Sequence, residues 1–252
     1  MIRNIKTPHL PKGEVRHIIL GKKYRNLLEN ALIQHNMVPI WLNENKFVDE
    51  RLSGHADLSA AHIGENRIVL SEHLRECEVS DKVNALGYNI EFTANPTYIT
   101  YPHDAKLNFC IVSDKLIYNP KTAYKDAVDG IRAETRIPVN QGYTKCSVCI
   151  VDEQSIITAD KMIAEAAQLS GMNVLRIAEP FVALDGFEYG FIGGASFKIN
   201  ADEIAFTGLI TDATIRNKIE AFLKSRKIKP VYLTDNKIFD IGSAIPLTEE
   251  TV

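Results

Sequence analysis

An α/β fold of five ββαβ units around a pseudo-fivefold axis is predicted by three features of the sequence. A pattern of strand, turn, strand, helix and strand recurs along the chain. Its turns fall at residues 64, 113, 152 and 201, roughly 40 to 50 residues apart, the range in which a period signals a propeller or solenoid. The remaining unit is divided between the two ends. A chain of 252 residues is long enough to bury such a core without disulfide or metal staples, as a single domain spanning 1–252.

The N-terminal part supplies strand VRHIIL, a helix from Tyr24 to Gln34 and strand VPIWL. From His55 follow ADLSAAHI, the turn Gly64-Glu65-Asn66, RIVL, a helical stretch to Leu86 stopped by Gly87, and NIEF. The unit starting at Leu107 has NFCIV, the turn Ser113-Asp114, KLIY and a helical stretch near Ala123 to Ala133. The clearest copy runs from Ser147 to Ile177. There SVCIV, the turn Asp152-Glu153 and SIIT precede a helix with Asp160 as N-cap and Met162, Ile163, Ala166, Ala167 and Leu169 on one face, and Gly171 stops it before NVLRI. The same grammar returns from Ser196: FKI, Asn200-Ala201-Asp202, EIAFT, a helix bearing Ile215, Ile219, Phe222 and Leu223, then KPVYL. The C-terminus offers only the strand IFDIGSAIPL. Joined to the N-terminal segment it completes the fifth unit, and pairing of the terminal strands would close the ring and remove exposed sheet edges. A two-layer α/β domain whose segments resemble one another by accident is the competing architecture.

Composition narrows the function. With 29 basic and 32 acidic residues and no Lys/Arg-rich block, the chain lacks the concentrated positive surface that nucleic acid requires. The N-terminus breaks its apolar character with charges and prolines, as a signal peptide does not, and no apolar run reaches the roughly 20 residues of a membrane helix. Four cysteines, at 77, 110, 146 and 149, are expected as thiols in a cytoplasmic protein.

Residues equidistant from each hairpin turn should ring one mouth of the axis. Counting back five to seven positions selects Asp57, Asn108, Cys146 and Ala195, with Ser196 adjacent, and Gly242 or Ser243 from the divided unit. Cys146 is the thiol in this polar ring, and the neighbouring Lys145 is expected to lower its pKa. His55 and Asp57, two apart, would share one face of a strand.

At Gly54-His55-Ala56-Asp57 the chain resembles the His-x-Asp signature of the pentein, or guanidine-modifying-enzyme, superfamily, a fold of five ββαβ blades. QGYTKCS, GFIGGAS and DIGSAIPL are similar to an uncharacterised bacterial branch of it. The resemblance implies a cofactor-independent, thiol-dependent hydrolase or transferase acting on a C–N bond of a small cationic guanidine or amidine. In it Asp57 would hold the substrate, His55 would be acid and base, and Asn108 and Ser196 would be supporting polar groups. Active relatives carry their cysteine in the last unit, where this chain reads Asp240-Ile241-Gly242-Ser243. Cys146 is the substitute nucleophile; the alternative is a catalytically silent binding or assembly protein.

Other motifs carry less. On a strand Cys146 and Cys149 point to opposite faces and no second C-x-x-C exists, so neither zinc nor thiol redox chemistry is expected. His62 would face away from Asp57, so no metal site is expected there. GFIGGAS precedes a strand rather than a helix, which excludes a phosphate loop and suggests close backbone approach at the axis or a bulge at the strand start. Asp49 and Gln141 either add substrate contacts or are solvated loop residues.

Overall fold

Five small sheets organise the described residues, 1–94 and 100–251, of the computed structural model. In chain order the elements are β1 (Ile2–Asn4), β2 (Glu14–Gly21), α1 (Arg25–Gln34) and β3 (Val38–Leu42); then β4 (Ala60–Gly64), β5 (Arg67–Leu70), α2 (Glu78–Ala85) and β6 (Asn89–Phe92). Next come β7 (Cys110–Val112), β8 (Lys115–Tyr118), α3 (Lys125–Gly130) and β9 (Thr135–Pro138). They are followed by α4 (Thr144–Ser147), β10 (Val148–Asp152), β11 (Ser155–Thr158), α5 (Lys161–Leu169) and β12 (Asn173–Arg176). The last are β13 (Ser196–Lys198), β14 (Glu203–Phe206), α6 (Ala213–Ser225), β15 (Lys229–Tyr232) and β16 (Ile245–Glu250).

Four units share one wiring: the first strand pairs antiparallel with the second, and a helical crossover sets the third parallel to the second. The fifth has the same wiring in divided form. β16 pairs antiparallel with β2, β2 pairs parallel with β3, and β1 adds an edge strand on β16. The local signals act as expected. The Asp160 carboxylate accepts from the Ile163 N–H to cap α5, Asp212 caps α6 in the same way, and Gly87 and Gly171 take positive φ just beyond α2 and α5.

Strand alternation distributes the core among the sheets. On β10, Val148 and Ile150 enter a cluster shared with Cys110 and Val112 of β7, whereas Cys149 and Val151 enter one shared with Ile204 and Phe206 of β14. The β4–β6 and β7–β9 sheets meet through Ile63, Val69, Ile111 and Leu116. On β2, Ile19 packs towards Ile68 and Leu70 of β5, while Ile18 and Leu20 pack towards Phe197 and Ala205. Each sheet is therefore buried on both faces, which is why its short strands read as near-continuous apolar runs.

The expected first strand of the second unit is shorter than ADLSAAHI. Ala56–Leu58 form a 3-10 turn and β4 begins at Ala60. The Asp57 N–H donates to the Gly242 carbonyl of the C-terminal segment at 3.0 Å, and that tie turns the chain before pairing with β5 begins.

His62 on β4 is buried, with Nε2 against the Glu65 carbonyl at 3.0 Å and its ring edge-on to Tyr88. Burial pushes its pKa from 6.5 down to about 4. Between those values the unfolded chain binds the proton and the folded chain does not. The contribution is thus intact above pH 6.5 and is lost as pH falls, by roughly 3 kcal/mol at pH 4. Urea unfolding from pH 7 to 4.5 should show stability falling with acid, more shallowly in His62→Leu; equal slopes would refute this assignment.

Candidate active site

Three buried side chains from separate parts of the chain meet at a cavity of about 270 Å³: His55, Cys146 and Asp240. One donor atom from each lies within 4.8 Å of the others. His55 precedes the 3-10 turn, Cys146 lies in the single helical turn α4, and Asp240 stands in the irregular segment before β16. Strand geometry therefore places neither His55 with Asp57 nor Cys146 with Cys149. Cys146 belongs to a helical turn and Cys149 to β10, where it packs in the core.

Cys146 is held from three sides. Its thiol donates to Asp57 Oδ2 at 2.8 Å, Asn108 Nδ2 approaches Sγ at 3.5 Å, and its backbone N–H donates to Asn108 Oδ1 at 3.1 Å. Asp57 lies behind the sulfur rather than on the cavity wall, beside a void of about 10 Å³ that it shares with His62 and Lys145. The carboxylate facing the cavity is Asp240, which accepts from the Gly242 and Phe191 N–H groups, both at 2.8 Å. Two glycines permit this convergence. A β-carbon at Gly194 would collide with the Asp240 carboxylate, and one at Gly242, where φ is +67°, would collide with His55. Close approach is thus the role of the glycines in GFIGGAS.

Among the described residues no partner reaches His55 Nε2 or Asp57 Oδ1. Burial lowers the His55 pKa, so the imidazole is neutral near pH 7. Burial raises Asp57 from 3.8 to about 7, opposed by the thiol hydrogen bond and the Lys145 charge. Burial, then the charges of Asp57 and Asp240, push the Cys146 thiol well above its ordinary value. The neighbouring Lys145 does not offset that rise. Its ammonium donates to Ser243 Oγ at 2.7 Å and to the Gly193 carbonyl at 3.1 Å, and Ser243 itself donates to that carbonyl at 2.8 Å.

The other expected site residues lie outside the cavity lining. Ser196 opens β13 and donates to the Ile192 carbonyl at 2.7 Å. Asp49 caps a 3-10 turn and pairs with Arg51, and Gln141 reaches Asp160 and the Tyr143 N–H. Tyr143, a cavity wall held by its hydroxyl against Asp104 at 2.6 Å, and Asp240 were not anticipated from the sequence. The ring count stopped two residues short of Asp240. A carboxylate preceding the Gly242-Ser243 turn, where both residues adopt positive φ, was the available signal. His62 is absent from the cavity, and the donor set that could hold a divalent cation is instead His55, Cys146 and Asp240, a zinc-compatible N, S and O combination.

A family model described as a family of unknown function, DUF6873, matches residues 19–245. No curated protein matches the sequence. The inosamine-phosphate amidinotransferase StrB1 from Streptomyces griseus superposes with a TM-score of 0.58 at 9% identity, over 99% of this chain and 98% of that one. SxtG, an amidinotransferase from Microseira wollei in saxitoxin biosynthesis, gives 0.54 at 9% identity over 91% of each chain. A substrate-bound agmatine deiminase variant from C. jejuni gives 0.52 at 10% identity, over 98% and 96%. This is the fold of the pentein superfamily.

The buried carboxylates make a specific prediction about the thiol. Iodoacetamide labelling of Cys146 should be slow at pH 8 and rise only at more alkaline pH than for a free thiol of about 8.5. Above pH 7 the Asp57 charge opposes thiolate formation, so Asp57→Asn should shift the labelling curve to lower pH. A wild-type curve centred below 8.5 would contradict the assignment.

Proposed function

The chain belongs to the DUF6873 family of unknown function, and from its pentein fold and axial site we propose that it is a thiol-dependent hydrolase or transferase acting on a C–N bond of a small guanidine or amidine. One observation carries the reading. A buried thiol, a neutral imidazole whose Nε2 has no partner among the described residues, and a carboxylate face the same cavity. The amidinotransferase and deiminase folds named above support the class. The same reading takes the five sheets as blades of one propeller, residues 1–252, and the setting as cytoplasmic. Its support is the sequence of shared core clusters, which passes through all five sheets and returns to the first.

The electrostatics suggest an order of events. Without a ligand, burial and then the negative field of Asp57 and Asp240 keep Cys146 protonated. A guanidinium bound against Asp240 adds positive charge beside the sulfur and lowers the cost of the thiolate. His55 takes the thiol proton while the sulfur bonds to the central carbon of the substrate, then gives that proton to the departing amine as the C–N bond breaks. Water, in a hydrolase, or a second amine, in a transferase, attacks the same carbon. His55 takes the incoming proton and returns it to the sulfur as the C–S bond breaks. In this scheme Asn108 and Asp57 position the thiol, and Asp240 is the guanidinium anchor. Ser196, Asp49 and Gln141 act, if at all, through the loops they tie.

A silent binding protein is the second reading, favoured by the raised thiol pKa and by Ser243 in the segment where active relatives carry cysteine. Ammonia and amine release from a guanidine and amidine panel separates the two. Turnover by wild type that falls on the order of a thousandfold or more in Cys146→Ser, with ligand binding retained, is expected of the enzyme. Undiminished turnover in Cys146→Ser would remove the thiol from the reaction.

A further inference from the structure

The cavity has two unlike ends. Its reactive floor is polar, whereas its walls are Leu52, Leu184, Tyr143 and Phe191, and Phe187 and Tyr189 form a lip. Both lip rings are solvent-exposed, at 38% and 46%. Exposed aromatic surface at the mouth of a cavity is the kind that a ligand covers.

Charge is distributed as unevenly as polarity. The carboxyl groups lining the cavity are those of Glu188 and Asp240, and among the described residues no Lys or Arg lines it. Arg51 reaches the same loop from outside. Its guanidinium stacks on Phe187 at 4.2 Å and donates to the Gly186 carbonyl at 2.8 Å and to Asp49 at 2.7 Å. Lys23 is similarly committed to the carbonyls of Glu50 and Arg51. A substrate carboxylate entering this space would lose water and, with Asp240 engaged by the guanidinium, meet the like charge of Glu188 without a lining Lys or Arg to offset it. A hydrocarbon or aromatic tail would meet walls of its own kind.

The loop that carries the lip is fastened at both ends. Arg51 holds Gly186, and Asp240 accepts from the Phe191 N–H while facing the reactive floor. The rings are thus positioned before any ligand arrives, which limits the ordering cost of binding.

Resting on the guanidine reading above, we propose that the substrate is a guanidine or amidine with an apolar, carboxylate-free tail, seated between the aromatic lip and the walls around Leu184 and Phe191. The carboxylate-bearing tail of a free amino acid is excluded by charge.

Three probes sharing a guanidinium and a four-carbon or shorter spacer test this: 4-phenylbutylguanidine, arginine and 4-aminobutylguanidine. Their dissociation constants for the wild-type protein are read by titration calorimetry, with protection of Cys146 from iodoacetamide reporting the place of binding. The phenyl compound should bind about tenfold or more tightly than arginine, equivalent to roughly 1.4 kcal/mol. The double variant Phe187→Ser, Tyr189→Ser, altered only at exposed positions, should lose most of that preference. Arginine binding equally or more tightly would overturn the tail assignment and leave the guanidine reading in place. Tightest binding of the amino compound would also overturn it, in favour of a dication held by Glu188. Failure of all three to bind or protect Cys146 would overturn both.

Discussion

Burial of acidic groups around one sulfur is the constraint on which the rest of the site depends. Asp57, Asp240 and Cys146 are each almost wholly shielded from water, and desolvation disfavours the charged forms of Asp57 and Cys146. The protein meets part of this cost with its backbone: two N–H groups on Asp240, and the thiol itself on Asp57. Lys145 supplies a buried positive charge nearby, but spends its hydrogen bonds on Ser243 and Gly193. Among the described residues no Lys or Arg lines the cavity. A cationic ligand there would oppose the negative field that adds to burial in holding the sulfur protonated.

Pattern made the fold legible. Period-2 apolar strands, period-3.6 helices, caps such as Asp160 and stops such as Gly171 are local signals, and the residues that carry them form the elements they predict. The site was legible only where it follows the repeat. Asp57, Asn108 and Cys146 were selected by distance from a turn, and they are in mutual contact. Asp240 and the direction of Lys145 were not legible, because each is fixed by a partner distant in sequence: Phe191 for one, Ser243 for the other. The 3-10 turn at Ala56–Leu58 has the same origin in its tie to Gly242.

Repetition also bears on which part of the chain supplies the thiol. Units with the same wiring deliver the residues before their first strands to a common region, so a reactive group can be supplied by more than one unit without altering the surrounding packing. Here the turn preceding β10 contributes the cysteine, and the C-terminal segment contributes a carboxylate and a serine locked by a lysine. At 9–10% identity, the shared fold constrains where chemistry can occur and leaves open which side chains perform it.

The divided sheet ties the timing of site assembly to protein synthesis. β16 lies between β1 and β2, and Asp240 immediately precedes it. A growing chain can form the hairpins and crossovers of its four contiguous units from neighbouring segments as they emerge. Until residues 245–250 leave the ribosome, the β2 edge lacks its antiparallel partner, His55 lacks the Gly242 segment against it, and the floor of the cavity lacks its carboxylate. The thiol is thus translated about a hundred residues before Asp240, one of the two carboxylates whose charge adds to burial in holding it protonated in the folded protein.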